Sequence, residues 1–240
     1  MFPLIRRLCL CIAVVGVFSP SLLAAPAAYQ PLMDKLLRAA PGINKQALKH
    51  AVAAMQCAVN NGAEPAQRLA VIDYSQPSSA RRLWVFDLKR NRLLLRDFVA
   101  HGRQSGENFA TQFSNKLGSF QSSLGLFRTE ETYLGKHGYS LRMDGLEPGI
   151  NDRARERAIV IHAAEYVNPR LVNSQGRIGR SLGCPAVRPE VARLVIDNLK
   201  GGQFMFSWYP DRRWLQNSDY LNCKPQRIAV TLRSSRANPS

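Results

Sequence analysis

The chain has 240 residues, 45% of them hydrophobic, with five cysteines and a formal net charge of +16. That length supports one to two domains with a substantial core, and the composition is that of a globular protein, which excludes a disordered polymer. The charge favours anionic neighbours such as phospholipid headgroups or acidic wall polymers; the basic residues are scattered and no nucleic-acid-binding motif organises them, so nucleic acid is the weakest candidate partner.

At the N-terminus, Arg6 and Arg7 precede an apolar stretch from Leu8 to Phe18 and small residues from Ala24 to Ala28. This is the three-part layout of a secretory signal peptide. The apolar stretch is too short for a comfortable membrane span. Residues 1–27 are therefore expected to be cleaved, with Ala25-Pro26-Ala27 offering one site, and the mature chain to be exported to the periplasm or beyond without a membrane span. An uncleaved anchor is the alternative. Removal of Cys9 and Cys11 leaves Cys57, Cys184 and Cys223. Thiols in an oxidising compartment tend to bridge, so one reading pairs Cys57 with Cys223 and leaves Cys184 free. The other keeps all three reduced.

Residues 28–66 read as a helical segment, running from Pro31 to Gly62. Asn44 can cap a helix that places Leu48, Ala51, Val52, Met55, Ala58 and Val59 on one face, and Asn60-Asn61-Gly62 ends it. A mainly β catalytic domain is expected over 67–225, giving an α+β protein. Leu69–Tyr74, Leu83–Phe86 and Leu93–Leu95 read as strands, with Lys89-Arg90-Asn91 turning between the last two. From Gly102 to Gly149, short strands at Leu124–Phe127 and Tyr139–Met143 are joined by long loops, the usual place for substrate contacts. Ala158–Ile161 is a buried strand closed by His162. Pro189 opens a helix through Leu199, with Val191, Leu194 and Val195 on its inner face, and Phe204–Tyr209 is a closing strand. Residues 226–240 form a basic tail.

The chemistry concentrates in Gly179-Arg180-Ser181-Leu182-Gly183-Cys184-Pro185-Ala186-Val187. A thiol on a glycine-lined turn, with an imidazole at the end of a buried strand, is what acyl transfer through a thioester requires. Gly183 lets a substrate carbonyl approach, and the Gly183 and Cys184 N–H groups could face an oxyanion. Pro185 suits the start of a helical turn, which would favour thiolate. The competing readings are a small buried hydrophobe for Cys184 and a backbone-bonded histidine for His162. A phosphate cradle at Gly176, Gly179 and Gly183 lacks the Gly-Lys-Ser/Thr it needs. A zinc site on His137 and Asp144 lacks a third ligand.

These residues carry a resemblance. Ser181-Leu182-Gly183-Cys184 preceded by His162 is similar to the signature of the murein L,D-transpeptidase family, YkuD-like, in the branch with Gly-Cys-Pro-Ala. The blocks Gly118-Ser119-Phe120, Tyr133 to Leu141, Asp144-Gly145-Leu146, Arg153 to His162 and Gly176 to Arg180 join in, so that the similarity runs from about Leu69 to Tyr220. This sequence departs from the family pattern in the 22 positions between His162 and Cys184, in Leu182 where a histidine is common, and in Ala186 where an arginine is common. The resemblance implies that Cys184 is the nucleophile, His162 the base and Gly183 part of the catalytic loop. It implies substrate contacts from Ser181, His137 and an arginine among Arg177, Arg180 and Arg188. The implied partner is a peptidoglycan stem peptide, with no metal or organic cofactor. Transfer to an amine gives a 3→3 crosslink, transfer to water a trimmed stem, and a third reading is a wall-binding module without catalysis.

Overall fold

The computed structural model describes residues 30–223; the expected leader at 1–27 and the basic tail at 226–240 lie outside the described residues. Among the described residues no helix is long and apolar enough to cross a membrane.

The N-terminal segment forms two helices, α1 (Gln30–Ala39) and α2 (Lys45–Asn60), with a break ahead of the Asn44 cap. The break has local causes. Pro41 cannot donate a backbone hydrogen bond, Gly42 takes φ +91°, and Asn44 caps α2 by accepting from the N–H groups of Gln46 (2.9 Å) and Ala47 (3.3 Å). Leu48, Ala51, Val52, Met55 and Ala58 form the buried face that the spacing predicts. Complete burial of a side chain such as Leu48 contributes about 1.5–3 kcal/mol. The helices share a single core with the strands that follow, Leu36 and Leu48 joining Leu69, Val71, Phe86 and Phe206.

Strands β1 (Arg68–Asp73), β2 (Leu83–Asp87) and β3 (Arg92–Asp97) form the expected antiparallel meander. Asp87 closes its last turn by accepting from the Arg90 N–H at 3.0 Å. Strands β4 (Gly125–Gly135) and β5 (Gly138–Gly145) make a longer hairpin than the short apolar pieces suggest. The extra length is the polar run Thr129 to Thr132, across which the register shifts. Then come β6 (Val160–Ala163), a short α3 (Arg170–Gln175), β7 (Ala186–Val187), α4 (Pro189–Leu199), β8 (Phe204–Trp208) and α5 (Arg212–Asn217).

The sheet order is β3-β2-β1-β8-β4-β5-β6-β7. Parallel pairing of β1 with β8 at its centre explains why these strands read as unbroken apolar runs: both of their faces are buried. The two ends of this order meet. The chain leaving β3 turns back along β7, with the Ala100 N–H donating to Ala186 O at 2.9 Å and a parallel bridge between Gly102 and Ser181. The sheet is thereby rolled into a barrel-like body, mainly β with a few helices.

One further expectation needs adjusting, and the cysteine pairing holds. The buried face of α4 is Ala192, Val195, Ile196 and Leu199, while Leu194 is 49% exposed. The former set is the i, i+3, i+4, i+7 stripe, from which Leu194 falls away. Cys57 in α2 and Cys223 beyond α5 form a disulfide with Cα atoms 5.3 Å apart, and Cys184 is free.

Candidate active site

The Cys184 loop lies on the closing seam, and nearly every residue in it is held. The Ser181 N–H donates to His101 O (2.9 Å), and the Arg103 N–H to Ser181 O (2.7 Å). The Ser181 hydroxyl donates to Cys184 O (2.6 Å) and accepts from the Gly183 N–H (3.1 Å). Ser122 donates its hydroxyl to Gly183 O (3.1 Å) while accepting from the Gly102 N–H (3.0 Å). Gly183 sits at φ +126°, and a Cβ there would come within 2.9 Å of Gln121 O. Only glycine satisfies both demands.

This bonding reassigns two roles. Ser181 is 4% exposed and spends its hydroxyl on the loop itself, so it shapes the turn. The Gly183 N–H is already satisfied, which removes it as an oxyanion donor. The Cys184 N–H has no hydrogen-bond acceptor among the described residues and is the one loop amide of this pair open to a ligand. Pro185 leads into β7 and not into a helix, because Ala186 and Val187 are drawn into pairing with His162 and Ala163.

The Cys184 side chain is partly buried, its Sγ 3.6 Å from Ala158 O and beside the Val160 N–H. Burial pushes the thiol above its ordinary range, and the Val160 N–H and Arg157 guanidinium pull in the opposite direction. The net effect is upward, so the resting group is a thiol. The helix terminus expected to favour thiolate does not exist here.

His162 stands on β6, opposite Ala186 of β7 and two residues beyond Val160. Cys184 precedes by two residues the strand that pairs with that of His162, although 22 positions separate the two in sequence. The strand begins later than expected: Ala158 has φ +52° and lies outside it, and His162 is its penultimate residue. The His162 Nδ1 is 2.8 Å from Ala163 O. A carbonyl can only accept, so this contact places the proton on Nδ1 and leaves Nε2 as a base. Burial lowers the pKa of His162 and the neighbouring His137 lowers it further, while the Ala163 carbonyl acts against both. A neutral imidazole is the form that can accept a thiol proton.

The other predicted residues separate clearly. His137, on the β4–β5 turn, stacks on His162. Arg188 is held by Asp97, with Nε to Oδ1 at 2.9 Å and Nη2 to Oδ2 at 2.6 Å. Arg180 and Arg177 both pair with Glu107, at 2.7 and 3.0 Å. Three candidate carboxylate binders thus serve as ties between loops. Asp144 pairs with Arg155.

Arg157 is the residue that motif reasoning misses. Its Nη1 donates to Ser114 O (2.6 Å) and to the Ser123 hydroxyl; its Nη2 donates to Gln121 O (2.6 Å) and the Ser119 hydroxyl (3.2 Å). The same Nη2 lies 3.5 Å from the point a Gly183 Cβ would occupy. Arg153 and Arg155 find carboxylates on Glu156, Asp144 and Glu131, whereas Arg157 meets only carbonyls and hydroxyls. Its positive charge is left for whatever develops on the sulfur or on a bound acyl group. The signal available in the sequence is its position, a cation immediately ahead of the buried strand that carries His162.

The family described as L,D-transpeptidase catalytic domain matches residues 39–208. No curated protein matches the chain. Among solved structures, the chain is similar to an L,D-transpeptidase from Mycobacterium smegmatis at 17% identity, over 60% of this chain and 59% of that one, with a TM-score of 0.37. It is also similar to an L,D-transpeptidase (Yku) from Stackebrandtia nassauensis at 11% identity, over 75% and 77% of the two chains, with a TM-score of 0.37.

Proposed function

The chain belongs to the L,D-transpeptidase catalytic-domain family, and from that premise we propose that it is an exported enzyme of peptidoglycan that works through a Cys184 thioester on stem tetrapeptides. The carrying observation is a free, partly buried Cys184 in the loop that leads into β7, the strand paired with the one bearing His162, whose Nδ1 is turned to the Ala163 carbonyl. His162 Nε2 takes the thiol proton as Sγ bonds to the carbonyl carbon preceding the terminal D-residue. The Cys184 N–H faces the oxyanion. The C–N bond breaks, the imidazolium returns its proton to the leaving amine, and a thioester remains. An acceptor amine then attacks that carbonyl, Nε2 removes its proton, the C–S bond breaks and the proton returns to sulfur. The product is a 3→3 crosslink.

The test is mass analysis of tetrapeptide muropeptides after incubation with the mature protein. Crosslinked dimers lacking one terminal D-residue are expected, and Cys184→Ala should abolish them in a folded protein. Tripeptides without dimers would replace transfer by hydrolysis, and an active Cys184→Ala protein would remove the thioester altogether.

A further inference from the structure

A groove enclosing about 580 Å³ opens beside the cysteine loop, floored by Phe113, Leu124 and Trp214. Its rim carries Lys116, Arg213 and Asn217. Ser114 also lines it, and the Ser114 carbonyl is the one that holds Arg157, whose other nitrogen borders Gly183. Groove and nucleophile are therefore one guanidinium apart.

The walls are built, not incidental. Trp214 is 3% exposed, and its Nε1 donates to the buried Glu147 at 3.0 Å. The disulfide from α2 to Cys223 anchors the chain just past α5, the far wall. Lys116 and Arg213 are exposed and form no ion pair among the described residues. Asp211, which also lines the groove, and Asp152 have partners of their own. Asp211 caps α5 by accepting from the Trp214 N–H (2.7 Å), and Asp152 accepts from Asn115 (2.7 Å) and from the Gly149 N–H (2.8 Å). Arg213, Trp214 and Asn217 lie beyond residue 208, where the family match ends.

We propose that this groove is a subsite for the acidic portion of the donor stem peptide, with Lys116 and Arg213 receiving the free carboxylate of the residue that precedes the attacked one. The inference rests on the function proposed above. It specifies the substrate as a stem bearing a free glutamyl carboxylate over one in which that group is amidated.

The experiment is calorimetric binding to the full-length mature Cys184→Ala protein, using L-Ala-γ-D-Glu-meso-diaminopimelyl-D-Ala and its isoglutamine counterpart. The acidic peptide should bind roughly tenfold tighter, the scale of one charge-assisted hydrogen bond, and Lys116→Ala combined with Arg213→Ala should erase the difference. Equal binding of the two peptides, or a preference that survives the double substitution, overturns the subsite. Turnover by the unsubstituted protein is scored separately. Turnover without a carboxylate preference leaves the enzyme and removes the groove, whereas a groove-dependent preference without turnover leaves the groove and removes the enzyme.

Discussion

The imidazole of His137 lies over that of His162, with ring centroids 4.4 Å apart and planes 27° from parallel. The first ring is exposed and the second is 2% exposed, so the β4–β5 turn acts as a cover for the base. Cover and like charge both lower the pKa of His162. His137→Ala removes both and should let that pKa return upward. A base that must be neutral then needs a higher pH, so the acid limb of the kcat/KM profile moves to higher pH. His137→Phe keeps the ring contact and should move it less. Superimposable profiles for all three proteins would mean that the stack has no influence on the base.

Cys184 should behave as an ordinary or reluctant thiol in the free protein, since burial outweighs the pull of Val160 N–H and Arg157. Its alkylation by iodoacetamide is expected to be still rising at pH 9, without a plateau near neutrality. A plateau below pH 7 would identify a resting thiolate and contradict the geometry.

Arg157→Met removes the cation that faces the sulfur and the donor that gathers Ser114, Ser119, Gln121 and Ser123. Abandoned acceptors cost about 1–3 kcal/mol each where water cannot replace the donor. Thermal unfolding should show a loss of about 2 kcal/mol, and alkylation of Cys184 should become slower at any given pH. Unchanged alkylation in a destabilised variant would confine Arg157 to holding the loop.

His101 makes stability depend on pH. Its Nδ1 receives a hydrogen bond from the fully buried Arg82 at 2.6 Å, and its Nε2 is 3.2 Å from Gly106 O. Burial and then the Arg82 charge press its pKa down to about 3. The folded ring stays neutral while the unfolded ring protonates near 6.5, so stability falls as pH drops from about 6.5 toward 3, by about 1.4 kcal/mol per unit. His50 and His162 are shifted in the same direction and add to the slope. Urea unfolding at pH 7 and pH 5 should show a smaller acid loss for His101→Gln, which retains an acceptor for Arg82 and a donor for Gly106. Equal losses would show that His101 is not linked to folding.

The mature protein, unfolded without reductant, should titrate one thiol, Cys184. Reduction of the Cys57–Cys223 bridge, which spans 166 positions, should lower stability by about 4–5 kcal/mol on chain-entropy grounds. Three titratable thiols before reduction would rule out the bridge.

Much of this site is readable before any coordinates. A lone thiol between Gly183 and Pro185, and a lone imidazole in an otherwise apolar strand, stand out because each breaks a local pattern. The α2 face and the β1–β3 meander are equally legible, since the 3.6- and 2-residue periods are written into neighbouring residues. The arginines are not. Arg188 meets Asp97 from 91 positions away, and Arg180 meets Glu107 from 73. No local signal distinguishes them from Arg157, which has carbonyls in place of a carboxylate.

The amino-acid sequence by itself determined the α2 face, the β1–β3 meander and the family, and marked Cys184 and His162 as the candidate pair, because these depend on residue identity and on spacing over a few positions. Tertiary structure alone decided that β3 and β7 meet at the cysteine loop, that Ser181 consumes the Gly183 amide, and that Arg157 is the cation left beside the sulfur. Those outcomes depend on which groups remain unpaired once distant segments have packed. That competition is settled by burial and geometry, and only the closed sheet brings its contestants together.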